Sequence, residues 1–379
     1  MAPSARHAEI SGAGIAGLAA AIALAKRGWS VCVHERSAAL RPEGAGIYIW
    51  DNGLRVLAAL DARDEALEGC HRGERRETRN ERNQVISSGS LGGDSPIRVV
   101  SIARQKLLGA LYASARRQGV EVRFGAEAVA ASAQGEIAFS DGSRRKADLV
   151  VAADGINSRI RDSLGLLQSR RPLKDGAIRC MIDRLPAERA SVEGRTYIEH
   201  WSGVRRLLYT PVSDQHIYLA LTTLDTDTAG KQVPIRADEW KRSFPHLAGV
   251  IDRIGEQGRW DLFEVVRLKR WSRGRVAIVG DAAHALAPNL GQGGGCALMN
   301  ALALAVALDE TPAIETALAQ WERRERPLTE HTQRISSLYS SVTAMPSLLR
   351  SAILWWAGWS RWAIEQRTRT AMHIPTGTS

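Results

Sequence analysis

Between a short apolar run and an alanine-rich segment the chain reads Gly12-Ala-Gly14-Ile-Ala-Gly17, and no other feature constrains the fold as tightly. Ala8 to Ser11 has the character of a strand, Leu18 to Lys26 that of a helix stopped by Gly28, and Val31 to Glu35 that of a second strand. Glycines between a strand and a helix permit a tight turn and let backbone N–H groups and the helix N-terminus meet a pyrophosphate. The glycine pattern alone is common. Here Glu35 closes the next strand eighteen residues beyond Gly17, placed to accept hydrogen bonds from an adenosine ribose. The opening predicts a buried parallel βαβ unit that binds a dinucleotide.

Helical spacing of apolar residues recurs over Asp51 to Leu67 and over Arg104 to Arg117, while Glu121 to Phe124, Glu136 to Phe139 and Leu149 to Ala153 read as strands. From Gly176 to about Thr223 short alternating runs take over, among them Tyr197-Ile-Glu-His-Trp201, Leu207-Leu-Tyr209 and Ile217-Tyr-Leu-Ala-Leu221, which predict an antiparallel sheet. The first pattern returns at Arg275 to Val279, followed by a glycine turn and a helix over Ala297 to Leu308. The expected fold class is therefore α/β, a Rossmann-like domain over 1–70, 96–170 and 270–330, an inserted antiparallel-sheet domain over 71–95 and 171–269, and C-terminal helices over 331–379. Arg72 to Asn83, rich in arginine and glutamate, reads as a solvated strand or loop.

Composition narrows the partners. With 44% hydrophobic and 24% charged residues, neither disorder nor a fibrous architecture is indicated. The formal charge of +10 comes from basic residues scattered along the chain. It suits solubility or the attraction of anionic substrates and pyridine nucleotide; neither nucleic acid nor a membrane is expected as a partner. Cys32, Cys70, Cys180 and Cys296 have no C-x-x-C spacing, so no metal site or redox dithiol is expected. The few residues before the first strand lack an apolar leader core, and a cytoplasmic location is expected. In the tail, Trp355, Trp356, Trp359 and Trp362 at helical spacing suit packing on the core or against a partner copy in a homodimer.

Two further turns carry chemistry. Asp154-Gly155 ends a strand and leads into Asn157-Ser158-Arg159; alone it is an ordinary turn. Gly280-Asp281 follows the strand ending at Val279, and Pro288-Asn-Leu-Gly291-Gln-Gly293-Gly294-Gly295 then opens a helix. A carboxylate at a strand end accepts from ribityl hydroxyls, and a glycine-rich helix N-terminus stabilises negative charge arriving at a flavin N1–C2=O edge. His284, beside Asp281, reads as a structural histidine.

Taken together, Gly12-x-Gly14-x-x-Gly17, Asp154-Gly155 and Gly280-Asp281, in that order, resemble the single-component FAD-dependent aromatic hydroxylases of the para-hydroxybenzoate hydroxylase type, over roughly residues 8 to 330. The resemblance implies FAD as cofactor, NADH or NADPH as a transient cosubstrate served by the middle motif, O2 as co-reactant and a small anionic aromatic substrate. It implies FAD contacts at Gly12, Gly14, Ile15, Ala16, Gly17, Glu35, Arg36, Arg41, Gly46, Tyr48, Arg104, Ala128, Asp154, Asp281, Gly291, Gly293, Gly294 and Gly295, with Pro288 near the flavin's reactive carbon.

A closer resemblance is to the 2-methyl-3-hydroxypyridine-5-carboxylic acid oxygenase type, carried by Gly44-Ala-Gly46-Ile-Tyr48-Ile-Trp50, Gly176-x-Ile-Arg179, Arg206-x-Leu-Tyr209 and Tyr218-Leu-x-Leu221. It implies hydroxylation and ring opening of a 3-hydroxypyridine carboxylate such as 5-hydroxynicotinate, with Tyr48, Arg179, Arg206 and Tyr218 around the substrate. Arginines pair with a carboxylate, tyrosines with the phenolic oxygen or ring nitrogen. The chain departs from the subgroup at Arg76, where an aromatic residue is usual. Two alternatives stay open: a salicylate-type hydroxylase of carbocyclic acids, and a non-catalytic flavoprotein.

Overall fold

The computed structural model describes residues 6–40, 45–92, 97–256 and 258–378. Its first sheet has six strands in the order Ser272–Arg273, Val276–Ile278, Leu149–Ala152, His7–Ser11, Ser30–Glu35, Glu121–Phe124, parallel except at the first pair. The central strands are nearly continuous apolar runs because helices cover both faces of such a sheet. The helix Ile15–Ala25 packs against Gly293–Glu310 and Arg104–Arg117. The first two of these helices are apolar almost all round, as buried helices are, and small alanines let their axes approach.

Gly12 has φ +100°, and a Cβ there would lie 2.4 Å from the carbonyl oxygen of Ala153. A Cβ on Gly17 would lie 1.9 Å from the Gly12 carbonyl oxygen. No side chain fits at either point, so the turn folds tightly and its helix lies directly on the strand.

The second sheet has seven strands in the order Trp260–Leu268, Leu167–Asp183, His216–Leu224, Arg205–Pro211, Thr196–Ser202, Arg75–Arg79, Val85–Ser90. Neighbours are antiparallel except Thr196–Ser202 with Arg75–Arg79. Alternation sorts its side chains. Ile178, Ile198, Leu207, Tyr209 and Leu219 face a core with Trp240 and Phe244, whereas Ala177, Arg179, Glu199, Arg206, Leu208 and Tyr218 face a cavity.

Several expectations need correction. The helix expected over Asp51 to Leu67 is two, Asp51–Ala59 and Arg63–Leu67. Between them Asp61 takes φ +51°, a left-handed conformation that Asp tolerates and that ends the first helix. The helix expected from Ala297 begins at Gly293, so the glycine run is its first turn. Arg75–Arg79 is a full strand of the second sheet, and Glu77 and Arg79 are buried, with Arg79 Nε donating to Glu77 Oε2 at 2.8 Å. Alternation between charged residues hid this strand, since a buried ion pair looks like surface in sequence.

The tail folds as Ile314–Val342, Ser347–Trp359 and Arg361–Thr368. Its four tryptophans are each at least 50% exposed, so they do not pack on the core of this chain. No helix among the described residues is long and apolar enough to cross a membrane.

Removing Glu77 leaves Arg79 with Asn83 at 3.1 Å and the half-exposed Glu193 at 3.5 Å, a poorer match for a buried charge. Glu77→Ala is expected to cost about 3 kcal/mol or more of folding stability in urea denaturation, and Glu77→Val with Arg79→Val together less than Glu77→Ala alone.

Candidate active site

A cavity of about 1200 Å³ is lined from both sheets. Strand ends of the first sheet supply one end. Gly12, Gly14, Ile15 and Ala16 line it from the first turn, Glu35 and Arg36 from the second strand, and Ala128 and Asp154 from beyond. Gly46, Tyr48, Arg104, Asp281 and Pro288 line the middle with Gly291, Gly293 and Gly294. Arg179, Arg206 and Tyr218 come from the second sheet. Of the residues expected at the site, Gly17 and Gly295 stand behind the wall, Gly17 against the Gly12 carbonyl and Gly295 against Gln292 and Asn52. Arg41, with Gly44 of the quoted segment, lies outside the described residues.

The first turn is held from within. Glu35 accepts from the Ala13 amide at 2.9 Å through Oε2 and from the Ser37 amide at 3.0 Å through Oε1, which fixes the carboxylate at the cavity edge with lone pairs left over. A Cβ on Gly14 would meet nothing within 4 Å. Asp154 Oδ1 is buried with no hydrogen-bond partner among the described residues, and burial holds that carboxyl above its usual range.

The second turn follows Val276–Ile278. Gly280 takes φ +62° and sends Asp281 into the cavity, where enclosure by protein raises the carboxyl and the charges of Arg104 and Arg179 oppose that rise. Gly291, at φ +61°, sits where a Cβ would lie 3.1 Å from both Tyr48 Cβ and Trp50 Nε1. The N-terminus of Gly293–Glu310, with its unpaired amides, therefore opens onto the cavity beside Tyr48.

Across the cavity the polar groups are largely paired. Tyr48 Oη and Thr210 Oγ1 are 2.5 Å apart, and burial pushes the Tyr48 and Tyr218 phenols up. Arg179 donates to Asp261 at 3.1 Å. Arg206 donates to Glu199 at 3.2 Å and to Asn289 Oδ1 at 2.6 Å, and Asn289 is anchored by Ser336 and Ser340 of the long tail helix. Glu199 also accepts from Tyr339 Oη at 2.6 Å and Trp201 Nε1 at 3.1 Å. Sequence reading missed Glu199, Asn289 and Tyr339. Glu199 was within reach, because it shares the period-two face of Tyr197 and Trp201; Asn289 and Tyr339 meet the sheet only through tertiary packing.

Residues 7–333 match the family model described as an FAD binding domain. The chain belongs to this FAD-binding family. It is 45% identical to the putative 2-heptyl-3-hydroxy-4(1H)-quinolone synthase AqdB1 of Rhodococcus erythropolis, over 100% of this chain and 99% of that one. It is 28% identical to the 6-hydroxynicotinate 3-monooxygenase of Pseudomonas fluorescens, over 89% of this chain and 91% of that one. The solved tetrameric form of 2-methyl-3-hydroxypyridine-5-carboxylic acid oxygenase superposes with a TM-score of 0.87 at 37% identity, covering 99% and 100% of the two chains. The chain is an FAD-dependent monooxygenase of aromatic substrates.

Features of the cavity fit FAD: a glycine cradle open at Gly14, the unpartnered Asp154 oxygen, and a helix N-terminus beside Asp281. His284 belongs to the packing. It lies against Trp271 and within 2.9 Å of Asn300 Nδ2, and burial pushes it down to about 4, so it is neutral at pH 7. Glu9, Cys32 and His34 converge within 4.8 Å, but Glu9 is already bonded to His34 and His7. Burial pushes the Cys32 thiol up to about 12, which disfavours the thiolate a metal would need.

Gly14 and Gly17 are expected to separate folding from cofactor binding. Gly14→Val adds a side chain to open cavity at an extended backbone position, so apo stability changes little while FAD affinity falls at least about 100-fold, a loss of the order of 2.7 kcal/mol. Gly17→Val is expected to lower the unfolding midpoint of the apoprotein itself. Fluorescence titration with FAD and thermal melts read the two effects.

Proposed function

We propose that this monooxygenase acts on a 3-hydroxypyridine carboxylate, such as 5-hydroxynicotinate or 2-methyl-3-hydroxypyridine-5-carboxylate, and opens the ring after hydroxylation. The observation that carries this reading is the inner face of the second sheet, where Arg179, Arg206 and Tyr218 stand with Tyr48 around the part of the cavity that Pro288 borders. Tyrosine hydroxyls suit the ring hydroxyl and nitrogen, and guanidinium groups suit a carboxylate. The similarity to the pyridine carboxylic acid oxygenase over nearly the whole chain supports it.

Within the same reading, the turn at Gly12 and Gly14 takes the FAD pyrophosphate, Glu35 the adenosine ribose and Asp281 the ribityl chain. The amides of Gly293 and Gly294, in the first turn of their helix at the cavity wall, would hold the electron-rich edge of the flavin ring. FAD, once bound there, would supply the redox and oxygen chemistry, with NADH or NADPH as the reductant, and Asp154 and Arg159 at the cavity edge would be the groups to receive the nicotinamide. The protein's part is to orient the ring, exclude water and hold the substrate hydroxyl in a bonded position.

A second reading is favoured by a specific observation. Leu91, Ile97, Val99 and Leu208 line part of the cavity, and a relative at 45% identity is named for a heptyl quinolone product. An alkyl quinolone hydroxylated at carbon 3 without ring opening fits those walls.

A panel of 5-hydroxynicotinate, 2-methyl-3-hydroxypyridine-5-carboxylate, 2-heptyl-4-quinolone and salicylate, with NADH and NADPH oxidation followed and products weighed, decides between them. Our reading expects stimulation by a pyridine acid and a product heavier by two oxygen and two hydrogen atoms. Stimulation by the quinolone alone, with one added oxygen, replaces it with the second reading.

The exposed tryptophan face of Ser347–Trp359 and Arg361–Thr368 suits contact with a second copy of the chain, as the tetrameric form solved for a 37% identical relative allows. Trp359→Ser with Trp362→Ser is expected to lower the assembly state seen by sedimentation velocity; an unchanged sedimentation coefficient removes this face from the interface.

A further inference from the structure

The cavity holds more positive charge than its carboxylates neutralise. Arg179 has Asp261 and Arg206 has Glu199. Arg76, on the strand Arg75–Arg79, also lines the cavity, and among the described residues it has neither an ion pair nor a hydrogen bond to any side chain. Its guanidinium lies along Gly89 of the neighbouring strand, where a Cβ would stand 3.2 Å from Arg76 Nε. Glycine there leaves room for the arginine to lie flat on the sheet.

Arg367 enters from the tail. The helix Ser347–Trp359 packs on Val85–Ser90 through Gly358, whose Cβ would lie 2.6 Å from that of Ser87. The following helix thereby places Arg367 at the cavity wall. Arg367 Nη2 donates to the Ala357 carbonyl at 2.6 Å and Nε to Ala363 at 3.3 Å, which steadies the guanidinium without neutralising it. Burial and the charge of Arg367 disfavour the ionised form of Arg76, and the opposing charge of Glu199 does not make this up, a cost that an anion between the two arginines would offset.

We propose that Arg76 and Arg367 form an anion subsite that receives the carboxylate of the substrate, with Arg179 and Arg206, already paired, left to shape the ring position. The proposal rests on the reading of the substrate as an aromatic acid and moves its carboxylate to a place set by the tail. It makes the C-terminal helices part of substrate recognition.

The test uses the FAD-loaded enzyme and nicotinate, an acid without the ring hydroxyl, as the binding probe. Nicotinate is titrated by its perturbation of the flavin absorbance for the unmodified enzyme, Arg76→Gln, Arg76→Lys and Arg367→Gln. In parallel, kcat/KM is compared for 5-hydroxynicotinate and 3-hydroxypyridine, which differ in the carboxylate. Each glutamine variant is expected to weaken nicotinate about ten- to a hundredfold and to collapse the preference for the acid over 3-hydroxypyridine, with Arg76→Lys recovering part of both.

Unchanged nicotinate affinity in both glutamine variants, or no nicotinate binding to the unmodified enzyme, overturns the subsite. Nicotinate binding that depends on both arginines in an enzyme that turns over only the quinolone upholds the subsite and sinks the pyridine-acid reading. Turnover of 5-hydroxynicotinate with its preference intact in the variants does the reverse.

Discussion

The architecture depends on one contact that admits no side chain, that of Gly17 on the Gly12 carbonyl, beneath Ala153. Because nothing stands between strand and helix, Ile15–Ala25 lies close on the sheet and its N-terminus faces the cavity. The second helix, Gly293–Glu310, packs along the first through alanines and brings its own N-terminus to the same cavity. Two helix ends with unpaired amides then face one space, which is the electrostatic requirement of a ligand with a pyrophosphate along its length and an electron-accepting ring at one end.

Arg206 is one of the groups through which the two sheets are coupled. Arg206 joins Glu199 on its own sheet to Asn289, which follows Pro288 in the turn below and is itself fixed by the long tail helix. A shift of that turn therefore moves Arg206, so the two walls of the cavity keep their spacing. Gly46 has a similar effect: a Cβ there would lie 2.6 Å from that of Tyr218, so the strand bearing Tyr48 comes against the second sheet.

Legibility in the sequence followed how local each feature is. The βαβ opening, the helix Arg104–Arg117 and the strands Glu121–Phe124 and Glu136–Phe139 are set by short-range pattern, and they stand where the pattern puts them. Of the expected cavity residues, most of those on glycine turns and alternating strands meet at one cavity, while Gly17 and Gly295 stand behind its wall as packing contacts. What the sequence hid involves charge in buried places. Glu77 with Arg79 read as part of a solvated segment, and the carboxylate partner of Arg206, Glu199, went unread, since burial of an ion pair is decided by tertiary contact. The tryptophan tail left the core and a partner copy both open, because an amphipathic pattern shows that a face is to be covered but not by what; the exposure of the four side chains removes the core of this chain from the choice.

The state of pairing also orders the arginines of the site by what each can do. A guanidinium held by a carboxylate, as Arg179 and Arg206 are, presents directed N–H groups and little net charge, which suits orientation of a polar ring. An unpaired one, such as Arg76, retains its full charge at a partly buried position and attracts whatever anion reaches it. On the proposed anion subsite, ring placement and acid binding fall to different arginines, and exchange of Arg76 is expected to alter which acids bind while the end of the cavity shaped by the glycine turns is left untouched.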